Sequence, residues 1–178
     1  QGTKVDLGAV GKGAACDAAR EVLAARGVKG AVVSVGGSVL AYGRRNAAGD
    51  KWRIAVRHPR EADSYLGIIT LDEGCVSTSG DYEKYFEKEG VRYHHLLDPA
   101  TGYPAESDLI SVTVVCKSGL LSDALSTACF VLGAEGGAKL AAKYGCEAIF
   151  ITEDKKVICT DGIKPYVTVL ADGYTVVE

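Results

Sequence analysis

The chain has 178 residues, 47% of them apolar and 24% charged, with a formal net charge of −3. That length is ordinary for one domain with a real core, and the charge gives no polycationic footprint, which argues against nucleic acid as a partner. No apolar run reaches the ~18 residues of a transmembrane helix, and the 22 glycines gather in short motifs where backbone must turn sharply or approach a ligand.

Val5–Gly13, VDLGAVGKG, reads as a strand-like start and a glycine-rich bend. It leads into a helical pattern, AACDAAREVLAARG, that stops at Gly27. Amides at such a bend and the positive end of the helix suit an anion, with Lys12 beside them. The spacing matches neither G-x-x-x-x-G-K-[ST] nor G-x-G-x-x-G, so a plain glycine turn and a solvated lysine are equally open readings. AVVSVGG and SVLAYG follow as two β-rich runs with a hairpin turn at Gly36-Gly37. WRIAVRHP is a strand ended by Pro59, with His58 read as a surface residue.

Leu66–Leu71 and Cys75–Ser79 read as a pair of strands joined by Asp72-Glu73-Gly74. After Ser79-Gly80-Asp81, the aromatics Tyr82, Tyr85 and Phe86 suggest a turn and a short amphipathic helix, with Asp81 as a possible N-cap. RYHHLLDPATGYP is a strand followed by a turn-rich loop. His94 and His95 are adjacent on that strand and point to opposite faces, so at most one serves a given site. Asp98 is read as bonding its own turn.

DLISVTVVC is a β-branched strand leading into a helix from Leu121 to Leu132, capped by Ser122 and stopped by Gly133. Leu121, Leu125, Ala128, Cys129 and Leu132 form its apolar face. Asp123 and Thr127 lie one turn apart, so their oxygens stack. A carboxylate and a hydroxyl so placed make half a site for a hard cation, with magnesium the natural candidate. The plainer reading has Asp123 serving the first turn and Thr127 bonding back to a carbonyl. AEGGAKLAAKYGC is a second helix, and AIFITED, KVICTDG, YVTVLAD and GYTVVE are short strands. The pattern predicts an α+β fold with mixed or antiparallel sheets and packed helices. Six scattered cysteines, with no C-x-x-C, read as reduced core thiols.

Five motifs stand in order along nearly the whole chain: DLGAVGKGAACDAA, VGGS, CVSTSGDYEKYF, YHHLLDPATGYP and DALSTACFVLG. Together they resemble the ApbE family of FAD-dependent flavin transferases, whose fold is T-fold-like. The resemblance implies a magnesium-dependent reaction in which FAD is cleaved, FMN is esterified to a threonine of an acceptor protein, and AMP leaves. It also leaves open an FAD pyrophosphatase giving FMN and AMP, or a non-catalytic flavin-binding fragment.

By position, the resemblance makes Asp6 and Lys12 flavin-nucleotide contacts and makes Ala9 a metal contact through its carbonyl. Asp123 and Thr127 become the side-chain metal ligands, and His95 the candidate base or nucleophile-orienting group. Leu97 becomes a backbone contact to the nucleotide, and Gly36, Gly37, Ser79, Gly80 and Asp81 line the cleft. Many members carry an aspartate after the paired glycines, where this chain has Ser38. The family's N-terminal stretch has no counterpart here, so the expectation is a single domain lacking that part. Localisation stays open between an extracytoplasmic lipoprotein, by resemblance, and a reducing cytoplasm, by the free thiols.

Overall fold

The structure, a computed structural model, describes residue 2 and residues 4–177. Its first element is helix α1, Gly11–Ala25. Residues 8–10 form a turn and residues 4–7 no regular element, so the strand expected from Val5 does not form. Gly27, at φ 66°, breaks the helix where the pattern placed the stop. Strands β1, Gly30–Val35, and β2, Ser38–Gly43, pair antiparallel through Gly36 and Gly37. Both glycines have positive φ, 51° and 99°, as a two-residue type I′ turn requires.

Next come β3 (Trp52–Arg57), β4 (Tyr65–Leu71) and β5 (Gly74–Gly80). The runs expected as a joined pair part company, because β4 bonds β3 while β5 bonds β2 in a different sheet. The short helix expected after Asp81 is also absent. Instead β6 (Tyr85–Lys88) and β7 (Val91–His94) form a separate hairpin. Glu89 and Gly90 both have positive φ there, and Phe86 stacks on Tyr93 with ring centroids 5.0 Å apart. A cross-strand aromatic pair and a left-handed turn outweigh the helical spacing of the aromatics.

β8 (Leu109–Cys116) enters helix α2, Gly119–Lys143. Ser118, not Ser122, caps it, accepting from the Leu121 amide at 3.3 Å. Ser122 is buried and donates to the Val114 carbonyl at 2.8 Å. Gly133 interrupts α2 at φ 73°, ψ 175°, so the expected stop is a kink between two helical pieces. The chain ends in β9 (Glu147–Thr152), β10 (Lys156–Cys159), β11 (Val167–Val169) and β12 (Thr175–Val177).

The main sheet runs β1-β2-β5-β8-β9-β10-β12, with only the β10–β12 pair parallel. Both helices pack on one face, where Val112, Val114, Ala148 and Phe150 meet Leu125, Cys129 and Phe130. The alternate residues Ile149 and Ile151 face the small sheet β11-β4-β3 through Ile54, Val56, Leu66 and Ile69. Period-two burial therefore builds two apolar layers around one sheet. The fold is α+β with mostly antiparallel sheets, as the sequence predicts. All six cysteines are free, and only Cys159 is not fully buried. His58, expected at the surface, is buried: its Nδ1 accepts the Arg60 and Glu61 amides, and its ring meets Tyr174 edge-on. No helix among the described residues is long and apolar enough to cross a membrane.

Candidate functional site

The site begins where two glycines let the helices touch. A Cβ on Gly13 would lie 2.0 Å from the Gly119 carbonyl oxygen, and one on Gly119 would lie 2.4 Å from that of Gly13. At this crossing the Gly13 amide donates to Asp123 Oδ2 at 2.9 Å. Gly13 is the third residue of α1, so its amide has no partner within the helix, and Asp123 supplies one. Asp123 is only 1% exposed. A buried carboxylate must be paired, and its partner is Lys12, whose Nζ lies 3.0 Å from Oδ1. The same ammonium donates to the Gly8 carbonyl at 3.2 Å, and the Gly8 amide donates to Asp6 Oδ1 at 2.6 Å.

The hairpin turn closes on this group. A Cβ on Gly36 would sit 3.2 Å from Lys12 Cδ, so the turn lies along the lysine stem, while Gly37 meets open space. Further along α2, Thr127 Oγ1 lies 3.1 Å from Ser79 Oγ on β5, and Ser79 lies 2.8 Å from Ser126 Oγ. Ser38 is buried and accepts from Ser77 Oγ at 2.9 Å.

α1, α2, the β1–β2 turn and β5 are thereby fastened by contacts of very different sequence separation. Asp17 of α1 binds the start of α2: Oδ1 accepts the Gly119 amide at 2.7 Å, and Oδ2 accepts the Leu120 amide at 2.9 Å and the Ser118 hydroxyl at 3.0 Å. Burial raises the Asp17 pKa, but those donors and Arg20 outweigh it and hold the carboxyl below its usual range.

The remaining candidates lie on other contacts. Asp81 is gripped by Arg60 through both oxygens, at 2.6 and 2.9 Å, with Arg92 at 3.6 Å. It is thus neither a helix cap nor an unpaired carboxylate. Gly80 extends β5 opposite Ser111, where the Tyr82 ring fills the space a Cβ would need. His95 is exposed, with Nδ1 3.2 Å from the Lys84 carbonyl. His94 turns the other way, its ring edge-on to Phe130 at 5.4 Å, and burial lowers its pKa. Leu97 is exposed and bridges to Pro104, framing a turn in which Asp98 Oδ1 accepts the Ala100 amide at 2.8 Å.

So Asp6, Lys12, Gly36 and Asp123 come into one cluster with the bend, and Ser79 and Thr127 touch each other. No direct contact joins His95, Leu97 or Asp81 to that cluster. Sequence reasoning passed over Asp17, Arg60 and Ser126. Only Asp17 left a signal, as an acidic residue within a glycine-started helix. A cation beside Asp123 fits the donor set. A carboxylate, a backbone carbonyl such as that of Ala9 and a hydroxyl are all hard oxygen donors, and an ammonium already bridges Gly8 and Asp123. Among the described residues no three His, Cys, Asp or Glu side chains cluster as a metal cage, so backbone and hydroxyl oxygens would have to share the work.

The sequence model of the ApbE family matches residues 1–150. The chain belongs to the ApbE family. The FAD:protein FMN transferase of Treponema pallidum is 39% identical over 178 residues, and that of Klebsiella pneumoniae 36% over 179. Those matches cover 95% and 99% of this chain, but 49% and 54% of the relatives. The chain thus spans about half the length of the curated relatives it matches. The crystal structure of the ApbE protein of Thermotoga maritima superposes with a TM-score of 0.83 at 37% identity, over 92% of this chain and 53% of that one. The apo flavinyl transferase ApbE of Pseudomonas stutzeri gives 0.75 at 39% identity, over 92% and 51%.

Proposed function

We propose that this chain provides the metal- and phosphate-binding side of a flavin transferase that moves FMN from FAD to a threonine of an acceptor protein and releases AMP. The observation that carries this reading is the buried Asp123 carboxylate, shared between the Gly13 amide and the Lys12 ammonium at the mouth of a glycine bend. That arrangement suits a polyanion and the cation that neutralises it.

Asp123, the Ala9 carbonyl and Thr127 would hold Mg2+. When bound, Mg2+ neutralises charge on the pyrophosphate as the bond between its two phosphates breaks. Lys12 and the bend amides would bind the phosphate oxygens, with Asp6 pinning the bend through the Gly8 amide. The hairpin turn at Gly36 and Gly37 keeps the Lys12 stem in place. Ser79 and Gly80 belong to the cleft through β5, while Asp81 serves it indirectly by fixing Arg60 and Arg92. The Leu97 backbone, held by its bridge to Pro104, offers a contact to the nucleotide.

His95 suits the role of base. The Lys84 carbonyl can only accept, so a neutral ring would hold its proton on Nδ1 toward that carbonyl and offer the Nε2 lone pair. The acceptor threonine oxygen would attack the FMN-side phosphorus, its proton passing to Nε2, while the phosphate of AMP departs with the bond electrons.

The test is incubation with FAD, Mg2+ and a threonine-containing acceptor peptide, read by mass spectrometry. Covalent FMN on the peptide with equimolar AMP is expected, and Asp123→Ala should lose at least about 100-fold in rate with its circular dichroism unchanged. Free FMN and AMP without peptide adduct would replace transfer by hydrolysis. An Asp123→Ala rate equal to that of the parent would overturn the assignment.

A further inference from the structure

We propose that Ser126 and Ser79 are positioning residues that fix the direction of the Thr127 hydroxyl, so that its lone pairs, not its proton, are offered to a cation. This rests on the metal reading of Asp123 and Thr127 given above. The argument is a proton count along three hydroxyls. Ser126 Oγ lies 2.8 Å from the Asp123 backbone carbonyl. A carbonyl only accepts, so the single Ser126 proton is committed to it.

Ser79 Oγ, 2.8 Å from Ser126 Oγ, must then be the donor of that pair. Its own proton is now spent as well. Thr127 Oγ1, 3.1 Å from Ser79 Oγ, can complete the chain only by donating. Ser126 is fully buried and Ser79 nearly so, so water does not compete to reverse the order.

The result is a one-way relay from Thr127 through Ser79 and Ser126 to the main chain of Asp123. Among the described residues no group donates to Thr127 Oγ1, so both its lone pairs stay open. That matters because a hydroxyl can ligate a divalent cation only through a lone pair, and a proton turned toward the cation repels it. The relay ends on the backbone of the residue whose carboxylate is the other side-chain ligand, so one helical turn sets both. Without Ser126, the Ser79 proton is free to turn to Thr127, and the Thr127 proton is pushed outward. Outer groups that orient ligands in this way typically contribute 10–100-fold to metal affinity.

The experiment measures Mn2+ affinity of the 178-residue chain by electron paramagnetic resonance of the free ion. Mn2+ takes the same hard oxygen ligands as Mg2+. Parent protein should bind, and Asp123→Ala should not. Ser126→Ala and Ser79→Ala should each weaken binding by roughly 10–100-fold, with melting checked by circular dichroism. In a Thr127→Val background the Ser126→Ala change should cost less than about twofold more, because the relay has lost the group it orients. Parent-like affinity in Ser126→Ala and Ser79→Ala, or the same loss with and without Thr127, overturns the relay while leaving the metal reading intact. Equal binding, or none, by parent and Asp123→Ala overturns the metal reading itself. Ser79→Ala acts from the sheet, so it keeps the test open should Ser126→Ala fail to fold.

Discussion

Gly13 is a residue whose missing side chain matters more than most side chains present. A methyl there would meet the Gly119 carbonyl at 2.0 Å and Asp123 Cβ at 2.7 Å, and a backbone carbonyl cannot rotate away. Gly13→Ala should therefore force α1 and α2 apart, lowering stability by about 1–3 kcal/mol as read from the urea midpoint. The same change should weaken Mn2+ binding, since the Gly13 amide orients Asp123. Asp17 makes the complementary prediction in pH. Its folded pKa lies below its ordinary 3.8, so its contribution is complete above the unfolded value and is lost as pH falls through the folded one. Asp17→Asn should melt below the parent at neutral pH, and the gap should close progressively below about pH 4. A gap that stays constant would refute the role of the charge.

At the scale of elements, turns decide more than propensity does. The β1–β2 hairpin presses its turn against Lys12, and Gly37 holds φ 99° with open space around it. Gly37→Ala should cost about 1–2 kcal/mol from left-handed backbone strain alone, measured by thermal melting. The β6–β7 hairpin is held by the Phe86–Tyr93 stack and by Arg92, whose guanidinium carbon lies 4.3 Å from the Tyr85 ring centroid. Phe86 is 62% exposed. Phe86→Ala should thus change stability by no more than about 1.5 kcal/mol, the size of an exposed aromatic pair, with loss confined to the hairpin amides in hydrogen exchange.

Across the whole molecule, the cysteines report on how tightly the layers close. Burial pushes the thiols of Cys75 and Cys146 up to about 12 and those of Cys129 and Cys159 to about 11. Thiolate, the reactive form, is therefore scarce. An aromatic disulfide reagent should label at most Cys159 in the native protein, and slowly, but all six cysteines once urea unfolds it. Rapid labelling of two or more thiols without denaturant would contradict the packing of helices on the sheet.

The amino-acid order alone determined what depends on near neighbours. The α1 stop at Gly27, the hairpin at Gly36-Gly37, the Asp98 turn, the break at Gly133 and the strands β8 and β9 all follow from local dihedral preference and residue propensity. Five ordered motifs also carried the family. Tertiary structure alone decided who meets whom. The Gly13 amide reaches Asp123 across 110 residues, and Asp17 reaches Leu120 across 103. The same holds for the separation of β4 from β5, the burial of His58, the strand at Tyr85 and the hydroxyl chain of Ser79, Ser126 and Thr127. Periodicity reports which face of an element is buried. It carries no term for the partner on the other side, and hydrogen bonds, close glycine contacts and proton directions exist only between partners.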